Sequence, residues 1–192
     1  LTRFESLGQY DLKFIQKDNC KDGSDHLFTY IYKFWCEETK LHYIVRAECH
    51  KEDVIALKFY CKKDKRSKYK YNKIINRGSF RSVTRILNTC TTLIPIFLEK
   101  YPHCSFALCS ARSIDFSNPR KLTEYLQNNQ RYRIYTQFIQ NRIGSKTFTH
   151  IEYPSISCYL LINNKSPDVN LKEMNIKEMF ARTYHSIPDI TV

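Results

Sequence analysis

Leu27-Phe28-Thr29-Tyr30-Ile31-Tyr32-Lys33-Phe34-Trp35-Cys36 is the stretch that decides the fold class. Phe28, Tyr30, Tyr32 and Phe34 occupy every second position, so they share one face of an extended strand. Two more alternating stretches follow. Leu41, Tyr43, Val45 and Ala47 oppose His42, Ile44, Arg46 and Glu48, and Ile55, Leu57, Phe59 and Cys61 share one side of 54–61. Glu37-Glu38-Thr39-Lys40 and His50-Lys51-Glu52-Asp53 are the turns between them. A shorter strand over 10–15 precedes the turn-rich 18–25. Consecutive short strands with short connections predict an antiparallel meander.

Downstream the period changes. Val83, Ile86, Leu87, Cys90, Leu93, Ile94, Phe97, Leu98 and Tyr101 recur at helical spacing. They predict a long amphipathic helix over 79–101, capped by Ser79, stopped by Pro102, and kinked or split by Pro95. Its apolar stripe is the surface that packs on the meander. Residues 104–110 read as a short buried strand. Asn118-Pro119 predicts a helix start, with Leu122, Tyr125 and Leu126 facing inward. Tyr132, Tyr135, Phe138, Ile139 and Ile143 continue the pattern to Gly144, and periodicity leaves open one helix over 119–143 or two broken near Asn128-Asn129. Strands at 148–153 and 156–162 join across Pro154-Ser155. The class is therefore α+β: an N-terminal antiparallel meander packed by a long helix, then strand, Arg- and Tyr-rich helix, two strands and a C-terminal helix.

Residues 1–162 are expected to form one domain, and 163–192 a linker with a helical appendage. Asn170 is the expected cap of a helix over 171–184 that carries Met174, Ile176, Met179 and Phe180. That apolar set either folds back on its own domain or docks another protein or a second copy of the chain, since Met side chains suit adaptable contacts. Those four residues are the candidate partner-binding set.

The chain has 192 residues, 42% hydrophobic and 14% aromatic, which is enough to build a core. Four glycines are too few for a phosphate-cradling loop, and neither G-x-G-x-x-G nor G-x-x-x-x-G-K-[ST] can be written. Nucleotide-driven motors and Rossmann dehydrogenases are thereby excluded. No apolar run is long enough for a membrane helix. Leu1-Thr2-Arg3-Phe4-Glu5 does not read as a signal peptide, because Glu5 and Asp11 interrupt any apolar stretch. A cytoplasmic setting is expected, and no membrane partner.

Charge is the strongest functional signal. Lys and Arg number 31 against 19 Asp and Glu, a net charge of +12. Residues 62–146 hold 18 basic and 4 acidic side chains, net +14, while the two flanking segments are each at −1. Codon bias would have spread lysine evenly. The densest run contains Lys62, Lys63, Lys65, Arg66, Lys68, Lys70 and Lys73 around a single acid, Asp64, with Tyr69 and Tyr71 interleaved. Arg77, Arg81 and Arg85 follow at four-residue spacing, and Arg131, Arg133 and Arg142 form a second, helical patch. Lys and Arg meet phosphates by releasing counterions, and tyrosines stack on unpaired bases. The expected function is non-enzymatic nucleic-acid binding, DNA or RNA, with weak sequence preference. The bland reading of 62–73 alone is a solvated hairpin tip.

Catalytic and metal chemistry finds weaker support. The eight cysteines include no C-x-x-C. Cys20/His26, Cys49/His50 and His103/Cys104/Cys109 only imitate zinc-knuckle spacing, so neither metal nor cofactor is expected. Most cysteines lie in apolar stretches, where a thiol acts as a small hydrophobe, and reduced thiols are expected rather than a disulfide framework. A small nuclease is an alternative. Asp25 with Glu38-Thr39-Lys40 is the nearest metal-nuclease arrangement, and His103 and His150 are the candidate histidines to act with a Lys or Arg in a metal-free ribonuclease.

Residues 69–145, from the Tyr-rich edge through Asn88-Thr89-Cys90 to Arg131-Tyr132-Arg133-Ile134-Tyr135, resemble small uncharacterised basic bacterial domains. Those combine a strand meander, a helix leading into a short strand, and an Arg- and Tyr-rich helix. The resemblance spans under half the chain. Some such proteins accompany bacterial defence systems, CRISPR–Cas among them. It implies an accessory interaction module, as monomer or homodimer, assisting a larger nucleoprotein enzyme such as a CRISPR–Cas effector, and it carries over no catalytic residue.

Overall fold

The computed structural model describes residues 8–73, 80–117, 120 and 123–184. Its centre is a seven-stranded sheet built from β1 (Lys13–Asn19), β2 (His26–Cys36), β3 (Leu41–His50), β4 (Val54–Cys61), β5 (Ser105–Cys109), β6 (Phe148–Tyr153) and β7 (Cys158–Asn163). The strand order is β1-β2-β3-β4-β5-β7-β6. All neighbouring pairs are antiparallel except β4 and β5. A parallel pair needs a crossover, and α1 (Phe80–Thr91) and α2 (Leu93–Lys100) lie in that connection. α3 (Gln130–Arg142) precedes β6, and α4 (Val169–Thr183) follows β7. The α+β class is as the sequence predicts.

The two faces of the sheet are covered differently. Tyr30, Phe34, Tyr43, Val45, Ala47, Ile55, Leu57 and Phe106 point to one face, and they share one core with Ile86, Leu93 and Phe97 of α1 and α2 and with Phe138 and Ile139 of α3. On the other face, Val54, Ala56, Ala107, Leu160 and Ile162 pack against Ile176, Met179 and Phe180 of α4. β4 and β7 are covered on both sides, and every residue of β7 is buried. Edge strand β1 is exposed throughout. α4 thus folds back on the sheet, and three of the four residues proposed for partner binding lie in that packing. Met174 alone of the four stays on the outside, half exposed.

Several boundaries differ from those expected, each for a local reason. β1 runs three residues later than the 10–15 strand, because Tyr10 turns inward to stack on Phe34, and its N–H donates to Thr89 Oγ1 at 2.9 Å. The long helix divides at Thr92, one turn before Pro95. Pro95 has no N–H for the Thr91 carbonyl and its ring crowds that oxygen, but it is tolerated in the first turn of α2. The expected caps Ser79 and Asn118, with Pro119 and Leu122, lie outside the described residues. Residues 123–129 are not helical, and Tyr125 is 88% exposed rather than inward-facing. Asn129 caps α3 by accepting from the Tyr132 N–H at 2.9 Å. Asp168, not Asn170, caps α4, accepting from the Leu171 N–H at 3.0 Å.

The cysteine expectation is corrected at one pair. Cys109 on β5 and Cys158 on β7 stand opposite each other in the antiparallel register and form a disulfide, with Cα atoms 4.2 Å apart. They are 49 residues apart in sequence, so only the strand pairing brings them together. Cys36, Cys49, Cys90 and Cys104 are buried thiols, as read from their apolar surroundings. Among the described residues no helix is long and apolar enough to cross a membrane.

Candidate functional site

The basic run leaves β4 as a chain of tight turns. Lys62–Asp64 form a 3-10 turn, and backbone bonds from Lys65 to Lys62 (3.1 Å), Ser67 to Asp64 (2.8 Å) and Asn72 to Tyr69 (2.9 Å) fold the segment back on itself. The lone acid points inward. Asp64 is buried and bonds Lys73 Nζ at 2.6 Å. Lys62, Lys63, Lys65, Arg66 and Lys68 are all exposed and make no ion pair among the described residues. Turn geometry therefore concentrates five uncompensated cations on the surface and pairs the acid with a sixth.

Residues 110–117 lie beside this segment. The Asn72 side chain donates to the Arg112 carbonyl at 2.9 Å, and Lys73 bridges Ile114. Arg112 is exposed there. Tyr69 meets Phe116 with ring centroids 5.5 Å apart, and Phe116 is 42% exposed. The aromatic element beside the cations is thus Tyr69 with Phe116. Tyr71 instead packs its ring against Tyr60 of β4, with centroids 5.4 Å apart, and burial drives its hydroxyl well above the usual tyrosine range. Lys70 lies over the Tyr60 and Tyr71 rings, and burial lowers its ammonium from the ordinary lysine value.

Four of the other proposed cations, Arg85, Arg131, Arg133 and Arg142, have partners inside the fold. Arg85 pairs with Glu38 at 3.0 Å and Glu37 at 3.5 Å, and its guanidinium stacks on Tyr10. Arg131 donates to the backbone carbonyls of Tyr71 and Lys73. Arg133 donates to the Asn128 carbonyl at 2.5 Å, and Arg142 to Asn88 Oδ1 at 2.6 Å. Arg81 is exposed, and Arg77 lies outside the described residues. Of the helical Arg patch, Arg131 is half-buried, while Arg133 and Arg142 are exposed and bond the fold through part of their guanidinium groups. Arg131 in particular ties the basic turns to α3.

A second feature lies at the middle of the sheet. β4 and β5 pair only over Val54–Ala56 against Ser105–Ala107. Both strands continue beyond that point, β4 to Cys61 and β5 to Cys109, but their ladder stops. A cleft of about 490 Å³ occupies the gap. Leu57, Phe59, Leu87, Cys90, Tyr135 and Phe138 line it on one side of the sheet, and Lys58, Phe180 and Tyr184 on the other. Tyr71, Asn72, Arg112 and Arg131 also line it, as do both disulfide cysteines. No Asp or Glu is among the lining residues.

Behind the cleft, Glu48 is 6% exposed and receives Lys58 Nζ at 2.5 Å, Arg46 Nε at 2.9 Å and the Tyr184 hydroxyl at 3.0 Å. Burial alone would raise its carboxyl, but Lys58 and Arg46 more than offset this and bring it to about 2. The His50 Nδ1 is 2.9 Å from the Glu48 carbonyl oxygen, which can only accept, so that nitrogen carries the proton. Nε2 lies 2.7 Å from the Tyr184 hydroxyl oxygen, whose single proton is shared between Nε2 and Glu48 Oε2. Burial lowers His50 to about 4. This cluster clamps the end of α4 to β3 and β4. A charged pair two residues apart on one strand face, Arg46 and Glu48, was its only trace in the sequence.

The nuclease residues do not come together. Asp25 pairs with Lys51 at 2.9 Å and Arg182 at 3.3 Å, whereas Glu38 accepts from Tyr10 and Arg85. His103 is exposed, and His150 Nδ1 bonds the Tyr159 hydroxyl at 2.7 Å. No protein-family model, curated protein or solved structure matches the chain.

Proposed function

We propose that the chain binds nucleic acid through its phosphate backbone, using Lys62, Lys63, Lys65, Arg66 and Lys68 with Arg112 beside them. The observation that carries this reading is the inward turn of Asp64. The only acid in the run pairs with Lys73, so the exposed cations have no counter-charge among the described residues. Cations crowded in this way repel one another, and a polyanion relieves that repulsion while releasing its own counterions. Tyr69 and Phe116 add apolar faces at the edge of the patch, where unpaired bases can stack. Backbone contacts position a protein without reading sequence, so affinity for different sequences of one nucleic-acid form should differ little.

The test is charge reversal at three exposed positions, Lys65→Glu, Arg66→Glu and Lys68→Glu together. Binding to labelled DNA and RNA is expected to fall at least ~100-fold at low salt, since each phosphate contact contributes electrostatically. Binding unchanged from wild type in the folded triple variant would remove the proposal. Running the same mixtures with and without magnesium, and checking the label for cleavage, tests the nuclease alternative in one assay.

A further inference from the structure

We propose that the β4–β5 cleft binds a single nucleotide, with its base in the gap between the strands and its phosphate at Arg112. Parallel neighbours that separate at their carboxyl ends open a crevice there, and in open sheets such crevices hold ligands. Here β4 and β5 part after Ala56 and Ala107, and the space between them has the volume of a small-ligand site.

Its chemistry narrows the ligand. Leu57, Phe59, Tyr135, Phe138 and Phe180 give the cleft apolar and aromatic walls, which suit a flat body. Its sides are strand edges beyond the end of the ladder, whose backbone N–H and C=O groups seek partners in a plane. A heterocycle with donors and acceptors on its rim meets both demands. A hydrocarbon chain would fill the walls but leave strand-edge groups unpaired, at about 1–3 kcal/mol for each buried group.

The charged lining adds the anion. Lys58, Arg112 and Arg131 line the cleft and no carboxylate does. Two of these are already engaged, Lys58 with Glu48 and Arg131 with the carbonyls of Tyr71 and Lys73. Arg112 is exposed and makes no ion pair among the described residues. It stands where a phosphate attached to a buried base would emerge. Asn72 holds the Arg112 backbone at 2.9 Å and is itself part of the basic segment, so cleft and cationic patch adjoin. The nucleotide is either free or an unpaired residue of a bound strand. The second source rests on the function proposed above, while the first does not.

The experiment is calorimetric titration of the whole protein with adenosine and uridine monophosphate, with decanoate as the hydrocarbon control. Ala111→Phe fills the cleft from the irregular segment after β5, and Arg112→Glu reverses the charge on its lining. Monophosphates are expected to bind wild type, and each variant to weaken them at least ~tenfold. Should Ala111→Phe melt early, the exposed Arg112→Glu variant keeps the test intact. The Lys65→Glu, Arg66→Glu, Lys68→Glu protein should hold monophosphate affinity within about twofold, because those residues do not line the cleft. Absence of monophosphate binding, equal binding by both folded variants, or preference for decanoate overturns the proposal. Competition by a short single strand assigns the nucleotide to a strand. Monophosphate binding without that competition supports the cleft for free nucleotide and counts only against a bound strand as its source.

Discussion

Two sets of cations behave oppositely in this molecule. Lys62, Lys63, Lys65, Arg66 and Lys68 are exposed with no acid partner among the described residues, while Arg46, Lys58, Lys73, Arg85, Arg131 and Arg142 end on carboxylates, carbonyls or an amide oxygen. In sequence most of them belong to one basic band. What separates them is whether the fold supplies an acceptor. A cation with an acceptor supports the structure, and a cation without one is free to meet an external anion.

The comparison breaks most visibly at Glu48. Glu48→Ala leaves Arg46 and Lys58 half-buried without their counter-charge, so stability should fall by about 4 kcal/mol, within the range for breaking a buried pair. Chemical denaturation measures this directly. A loss below ~1 kcal/mol would mean that the inner cations need no partner and that the distinction fails.

Acid probes the same cluster. The folded value for His50, about 4, lies below the ordinary histidine value of 6.5, so the unfolded chain binds more protons between those limits. Its neutral form therefore stabilises the fold fully above pH ~6.5, and that stability is lost as pH falls toward 4, by on the order of 3 kcal/mol. Glu48, held at about 2, adds a further loss below pH ~4.5. The charged and titratable groups that face His50 are His26, Glu48, Lys58 and Tyr184. His50→Gln should flatten the stability curve between pH 6.5 and 4, and an unchanged slope would show that the step belongs to another group.

Arg131→Ala sharpens the comparison on the side of the struts. Its loss frees the carbonyls of Tyr71 and Lys73, so stability should drop by about 2 kcal/mol, as for charge-assisted hydrogen bonds. Nucleic-acid affinity, measured well below the melting transition, should change less than in the Lys65, Arg66 and Lys68 variant. A larger affinity loss in Arg131→Ala would move Arg131 to the binding surface.

The sequence made the sheet legible because its alternation is physical. Phe28, Tyr30, Tyr32 and Phe34 lie on the core face, and the two turns fall at 37–40 and 51–53. These turns use Lys40, Glu52 and Asp53 at positive φ with no glycine, which the strand pairing enforces against local preference. Helix starts were less legible. Asn129 caps α3 with no proline after it to mark the start, so periodicity alone did not locate it. The second covered face was foreshadowed by the unbroken apolar run Tyr159-Leu160-Leu161-Ile162, since a strand buried on both sides need not alternate. For the candidate interface, the cations of 62–68 were found by density alone. Phe116 and Arg112 were not, because a loop some 40 residues away meets the basic turns only through tertiary contacts, the Asn72–Arg112 bond, the Lys73–Ile114 bridge and the Tyr69–Phe116 ring pair. The burial of Tyr71 and the engagement of the helical arginines were also beyond reach, since composition does not say which carbonyl a guanidinium will find.

The central claim is that the outward cations of 62–68 are a phosphate-binding face. A salt titration of nucleic-acid affinity, plotted as the logarithm of the binding constant against that of salt concentration, tests it most directly. Wild type should give a slope of about −4, from roughly five contacts, and the Lys65, Arg66 and Lys68 reversal a slope shallower by about 2–3. Equal slopes and equal affinities in the two proteins would contradict it.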